Sequence, residues 1–230
     1  MSNILIVESE NDKFFLQALV DELKYDIQIE EPICLELEYE CLEGLSKTRM
    51  IKALKELEAD IQKRDIQKIG IVIDIDDFSQ EKRLEWLQEC LDEVFPQISK
   101  LVNTGEFIKL ETKSEETIKL ACYFTNVDGN GELDTVLKEI KSKDSSHADC
   151  LIDWKNCIES QDRKISDKDF DKFWVAIYLR YDTCSRKEQK QAARKCSFEY
   201  SMKEKKEIWN FTHPLLNDLK EFLSLFAEVD

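Results

Sequence analysis

Residues 69–77 read Ile69-Gly-Ile-Val-Ile-Asp74-Ile-Asp76-Asp77, a nearly unbroken β-branched run that stops on carboxylates. A strand that is apolar at successive positions needs cover on both faces, which places it inside a mostly parallel sheet. The amino terminus repeats the pattern. Ile4-Leu-Ile-Val7 closes on Glu8, with Glu10 and Asp12 just beyond. Asn11 or Asp12 can then cap a helix whose apolar residues Phe14, Phe15, Ala18, Leu19 and Leu23 recur at helical spacing. Two interior strands that both run out into acids organise everything around them.

Working outward, Ile33, Leu35, Leu37 and Tyr39 alternate with Cys34 and three glutamates, the pattern of a half-exposed strand. Met50, Ile51, Leu54, Leu57 and Ile61 mark an amphipathic helix, and Leu84, Leu87, Leu91 and Phe95 another, stopped by Pro96. Segments 107–112 and 117–124 suggest two strands around a charged turn. A loop with two glycines follows at 126–131, and Leu133, Val136, Leu137 and Ile140 resume helical spacing. The order β-α-β-α-β-α-β-β-α predicts an α/β fold, a layered sheet with flanking helices. Beyond about residue 145 only helical patterns remain, at 150–158, 170–181, 187–196 and 215–226. The expected division is an α/β domain over 1–142 and a helical C-terminal region over 143–230, packed on or beside it.

Composition narrows the function. Lys+Arg number 33 against 49 Asp+Glu, a formal charge of −16 over 230 residues. That excludes a passive nucleic-acid coat, which carries a basic footprint, but not an enzyme that meets phosphates through bound cations. A hydrophobic share of 42% excludes a wholly disordered chain, and 5 Gly with 3 Pro argue against a turn-dense all-β fold. No apolar run reaches the roughly 18–20 residues of a membrane span, and the acidic start is no secretory signal, so a cytoplasmic protein without a membrane partner is expected. The 8 Cys form no C-x-x-C pair and only two His accompany them, which reads as scattered reduced thiols rather than a zinc site or a disulfide framework.

The chemistry sits at the strand ends. If the two acid-terminated strands are neighbours, Glu8 and Asp74/Asp76 converge beyond their carboxyl ends, where open α/β sheets bind ligands. Crowded carboxylates repel one another unless a cation joins them. All-oxygen ligands favour Mg²⁺ or Mn²⁺. In extended chain Asp74 and Asp76 point the same way, and Ile75 points back into the core. Plainer roles compete elsewhere. Asp12 suits a helix cap equally well. Asp77 suits a cap or solvent, Trp174, Tyr178 and Tyr181 suit packing, and His213 before Pro214 suits a structural hydrogen bond.

Val7-Glu-Ser-Glu-Asn-Asp12 and Ile71-Val-Ile-Asp74-Ile-Asp76 together resemble the Toprim domain of topoisomerases, primases and OLD nucleases. Ser9 stands where that pattern usually has glycine. The stretch from Phe124 to Asp134 resembles the corresponding loop and helix entry of small stand-alone Toprim proteins of uncharacterised function. The resemblance implies Mg²⁺- or Mn²⁺-dependent phosphodiester cleavage of DNA or RNA. Glu8 would act as ligand or general base and Asp74 and Asp76 as ligands, with Asp12, Glu132 and Asp134 as further candidates. Lys203, Lys205 or Lys206 would steady phosphate charge. It further implies an effector of anti-phage defence that works with a separate ABC-type ATPase, and a homodimer is compatible with it. The alternative is a Toprim-shaped module that binds metal or nucleotide without cleaving.

Overall fold

The computed structural model describes residues 2–34, 44–61, 63–95, 97–112 and 116–227. The chain is an α/β protein with a helical C-terminal part. Strand β1 (Ser2–Val7) leads through helix α1 (Glu10–Leu23) to a two-residue strand β2 (Gln28–Ile29). Helix α2 (Lys47–Ile61), strand β3 (Ile66–Asp74) and helix α3 (Gln80–Asp92) follow, then strands β4 (Gln97–Ile98), β5 (Ile108–Glu111) and β6 (Thr117–Thr125) and helix α4 (Leu133–Glu139). The sheet order is β2-β1-β3-β6-β5-β4. β2, β1, β3 and β6 run parallel, while β5 is antiparallel to both neighbours. β1 and β3 lie side by side, with Val7 opposite Val72. From β1 the chain moves to one side of the sheet and from β3 to the other, so the boundary between them is a topological switch point.

Alternation along the strands sorts the core into two layers. Ile4, Ile6, Ile69, Ile71, Ile73 and Cys122 pack with α2 and α3 through residues such as Met50, Leu54 and Leu87. Leu5, Val7, Val72 and Ala121 face the other way, onto α1, α4 and the C-terminal helices. Those are α5 (Ser146–Glu159), α6 (Asp167–Ile177, running into a π-helical turn over Tyr178–Asp182), α7 (Arg186–Gln189), α8 (Ala192–Lys195), α9 (Phe198–Glu204) and α10 (Asn217–Ala227). The C-terminal part therefore lies on the sheet and shares its core. Gly70 shows how closely α10 approaches. A Cβ there would stand 2.3 Å from a Leu5 methyl and 2.8 Å from the Phe226 ring.

Several expectations change. The strand found in this region is the two-residue β2 at Gln28–Ile29, ahead of the one foreseen at 33–39, whose positions from 35 onward lie outside the described residues. Pro32 interrupts the pairing because it has no N–H to donate, and Ile33 and Cys34 then resume it by donating to the carbonyls of Val7 and Glu8 at 3.0 and 2.8 Å. The helix foreseen at 187–196 is instead two single turns, α7 and α8, neither of which buries a residue, so no apolar stripe holds a longer helix in place. Lys203 lies on α9, which the sequence had not marked, Lys205 caps that helix and Lys206 opens a 3-10 turn over Lys206–Ile208. Cys184 and Cys196 form a disulfide across these turns, with Cα atoms 6.0 Å apart, which corrects the expectation of reduced thiols throughout. The fold brings together two cysteines whose sequence spacing carried no signal. Trp174 and Tyr178 are core residues as expected, whereas Tyr181 is 45% exposed. His213 accepts the Leu215 N–H on Nδ1 at 3.2 Å, a structural role. No helix of the described residues is long and apolar enough to cross a membrane.

Candidate metal centre

β1 ends at Val7 and β3 runs to Asp74, so Glu8 lies against the last turn of the β3 ladder. Its Oε2 accepts the Asp74 N–H at 3.4 Å, and Asp74 Oδ1 accepts the Leu133 N–H at the start of α4 at 3.1 Å. Acids from separate stretches of chain thus meet at the switch point. They are buried: Glu8 is 8% exposed, Asp74 8%, Asp12 4% and Glu132 4%.

Burial and proximity set their protonation. Burial first, then repulsion from Asp12 and Asp76, pushes Glu8 up to about 7 despite the opposing influence of Arg83. Asp12 is pushed to about 6 by burial, against the lowering effect of its bonds with Ser9. Asp74 lies well above the ordinary range, first from burial and then from Asp12, Glu8, Glu132 and Asp76. Asp134 rises to about 7 by burial and its neighbour Glu132. A cluster held this far from easy ionisation is a place where a cation is favoured.

Asp12 is both cap and neighbour. It closes a capping box with Ser9, accepting the Ser9 N–H at 2.9 Å while its own N–H donates to Ser9 Oγ at 3.3 Å. Ser9 has φ −128°, which any residue adopts, so the turn does not call for glycine. Asp76 departs from the extended geometry expected of it. The strand stops at Asp74, and Asp76 takes φ +54° where its N–H bonds the Gly131 carbonyl at 3.2 Å. Its carboxylate turns to two cations instead of lining up with Asp74, while Ile75 enters the core at 2% exposure, as foreseen. Asp77 is solvent-exposed, and Ser79 caps α3.

Those two cations are what the sequence reading missed. Arg83, 2% exposed, places Nη2 3.3 Å from Asp76 Oδ2 and 3.8 Å from Glu8 Oε2. Its guanidinium lies over the rings of Phe78 and Trp86, at 5.2 and 4.6 Å. The available signal was an arginine on the apolar stripe shared with Leu87 and Cys90. Lys168, from α6, bridges Asp76 Oδ1 at 2.8 Å and Glu132 Oε2 at 2.9 Å. Burial opposes its charge, but the bonds to Asp76 and Glu132 outweigh that and raise its pKa. Nothing local in the sequence marks a lysine 92 positions from its partner. Lys172 Nζ stands 3.6 Å from Glu132 Oε1, a buried oxygen with no hydrogen bond.

Lys203, Lys205 and Lys206 do not join the acids. Lys203 pairs with Glu199 at 2.6 Å, Lys205 with Glu188 at 2.8 Å, and Lys206 with Asp21 at 3.6 Å. Lys203 and Lys205 pair within the C-terminal part and Lys206 ties it to α1, whereas the cations beside the acids are Arg83 and Lys168. A cleft of about 1080 Å³ opens over Asp76, Arg83, Glu132, Lys168 and Lys172. Among the described residues, no three acidic, His or Cys side chains already form a metal-binding group; Arg83 and Lys168 bridge the carboxylates. The donors nevertheless fit a hard divalent ion. All are carboxylate oxygens, they are crowded and buried, and Glu132 Oε1 lacks a hydrogen-bond donor.

The class defined here is an α/β protein with an open, mostly parallel sheet that gathers buried carboxylates at its switch point. The chain belongs to the DUF3226 family, described as a protein of unknown function, which it matches over residues 2–228. No curated protein and no solved structure matches it.

Proposed function

We propose that this protein is a divalent-metal-dependent nuclease of the Toprim type, hydrolysing phosphodiesters of DNA or RNA. The observation that carries the reading is the meeting of Glu8 with Asp74 at the ends of adjacent parallel strands, 3.4 Å from Oε2 to the Asp74 nitrogen, inside a shell of further acids. Glu8, Asp74 and Asp76 would hold Mg²⁺ or Mn²⁺, with Asp12, Glu132 and Asp134 supporting a second ion. Bound there, such ions supply charge neutralisation and a more acidic water. The protein's own groups do the rest. Glu8, if it does not itself hold an ion, is suited to accept a proton, since burial and the neighbouring acids raise its pKa to about 7. Arg83, its guanidinium over the rings of Phe78 and Trp86 and paired with Asp76 and Glu8, would turn its charge to phosphate once a bound ion takes over those carboxylates. Lys168, bridging Asp76 and Glu132, is the second positive group at the cleft wall.

The test is cleavage of single- and double-stranded DNA and RNA with Mg²⁺ or Mn²⁺. Glu8→Gln and Asp74→Asn should each lose about 100-fold or more of the activity. Absence of cleavage with either ion on every substrate, with and without a cognate ATPase, overturns the proposal.

One observation favours a second reading. Arg83 and Lys168 already neutralise Asp76 and Glu132, which suits a module that binds metal or nucleotide without cleaving. Calorimetric binding of Mn²⁺ without turnover would select it. A role in anti-phage defence with an ABC-type ATPase rests on the resemblance and is compatible with the charge of −16, which suits a basic partner surface. Co-purification that charge reversal on the acidic surface abolishes would support it, and indifference to reversal would sink it.

A further inference from the structure

Trp154 on α5 and Phe173 on α6 are large aromatic side chains left 39% and 53% exposed. Their rings stack on each other, with centroids 5.9 Å apart and planes 12° from parallel. The neighbouring tryptophan behaves differently. Trp174 is 1% exposed, and its Nε1 donates to Asp149 Oδ1 at 3.1 Å. Two helices that bury one indole fully therefore leave a second one outside, paired with a phenyl ring.

The residues adjoining this pair face the carboxylate cleft. Lys155 follows Trp154, Lys172 precedes Phe173, and both lysines line the cleft that contains Asp76 and Glu132. Lys155 is the more enclosed of the two, with its side chain 22% exposed and its ammonium 4.9 Å from the Phe170 ring centroid, and its carboxylate partner Asp167 is 93% exposed and so held in place by little else. Lys172 is 50% exposed and 3.6 Å from Glu132.

We infer that α5 and α6 form a platform for single-stranded nucleic acid, with bases stacking on Trp154 and Phe173 and the backbone running over Lys155 and Lys172 toward the acids. The inference rests on the nuclease reading and names its substrate class. Flat aromatic faces next to cations are the sequence-tolerant means of holding single strands. In a duplex the base faces are covered by stacking. A chain of charge −16 also repels the denser charge of a duplex more strongly than that of a single strand. Two rings fall well short of the contiguous apolar surface expected of a protein interface core.

The test uses the full chain and fluorescein-labelled 12-nucleotide oligo(dT), oligo(rU) and a 12-base-pair duplex. Anisotropy is read at two salt concentrations in EDTA and again in Ca²⁺. Single strands should bind more tightly than the duplex and quench tryptophan fluorescence. Trp154→Ala should weaken single-strand binding about tenfold, with Trp154→Phe keeping most of it and reporting the loss of quenching. Lys155→Gln with Lys172→Gln should lower the salt slope by about 1.4. Failure of the wild type to bind, equal binding by Trp154→Ala, or preference for the duplex overturns the inference. So does a Trp154→Ala variant that loses self-association or a protein partner while keeping the oligonucleotide. Trp154-dependent binding with no cleavage under any condition would leave the platform standing and remove the nuclease. Cleavage indifferent to Trp154 would do the reverse.

Discussion

Asp74 is a carboxylate that the fold resists ionising, and its pH dependence has a definite sign. Glu8 and Asp134 titrate at about 7 and Asp12 at about 6, with Asp74 also raised, whereas the unfolded chain releases these protons near pH 4. Between about pH 4 and pH 7 the unfolded state therefore binds fewer protons, and stability falls as pH rises through that window. A divalent ion should reverse the loss at pH 7.5 and do little at pH 5, as read by the shift in Tm. Asp74→Asn removes the charge while its side-chain oxygen can still accept the Leu133 N–H. Without divalent ions it should melt higher than wild type at pH 7.5, by about 2–4 °C for each kcal/mol relieved, and it should no longer respond to Mn²⁺. Arg83 behaves in the opposite way. Arg83→Leu leaves Glu8 and Asp76 without their buried cation and should cost about 3 kcal/mol in urea denaturation at pH 7.5. Arg83→Lys should recover only part of that, because a lysine cannot lie flat between Phe78 and Trp86.

At the scale of elements, the legible features were those set by period and by strand ends. Ile4–Val7 and Ile69–Ile73 announced interior strands because burial on both faces leaves no room for polar residues, and their terminal acids announced the site. Glu8, Asp74 and Glu132 could be found because each sits at the end of a strand or the start of a helix. Arg83 was partly legible and Lys168 not at all, since long-range pairing is fixed by where α6 packs and not by any local pattern. β4 escaped notice because two residues carry no periodicity, and α9 because its run of charges hid its buried Ser201 and Met202. Gly70 was legible only as a gap in an apolar run, yet it sets the spacing between β3 and α10. Gly70→Ala should cost about 1–3 kcal/mol, measured by urea denaturation, since the new methyl meets Leu5 and Phe226. Phe226→Leu in the same chain should recover part of the loss, because the ring is one of three obstructions, with Leu5 and Phe222.

On the scale of the whole molecule, the division at residue 142 is a change of composition and not a break in the core. Trp174, Tyr178, Trp209, Phe222 and Phe226 share one apolar cluster with Leu5, Val7, Val72 and Ala121 of the sheet. Asn3 and Lys68 also donate to carbonyls of α10, at 2.7 and 3.1 Å. The C-terminal part thus covers one sheet face and at the same time delivers Lys168 to Asp76 and Glu132, so stability and site assembly have a common origin. Residues 1–142 alone would keep α1 and α4 on that face but expose the part covered by α10 and its neighbours, an apolar surface of the kind that soluble monomers avoid. The expected outcome is a fragment that binds ANS and melts without a cooperative transition by near-ultraviolet circular dichroism, while the full chain melts as a unit. A cooperative, ANS-silent fragment would show that the α/β part folds on its own. Lys168 would then reach the site by docking of a second domain instead of by completion of a single core.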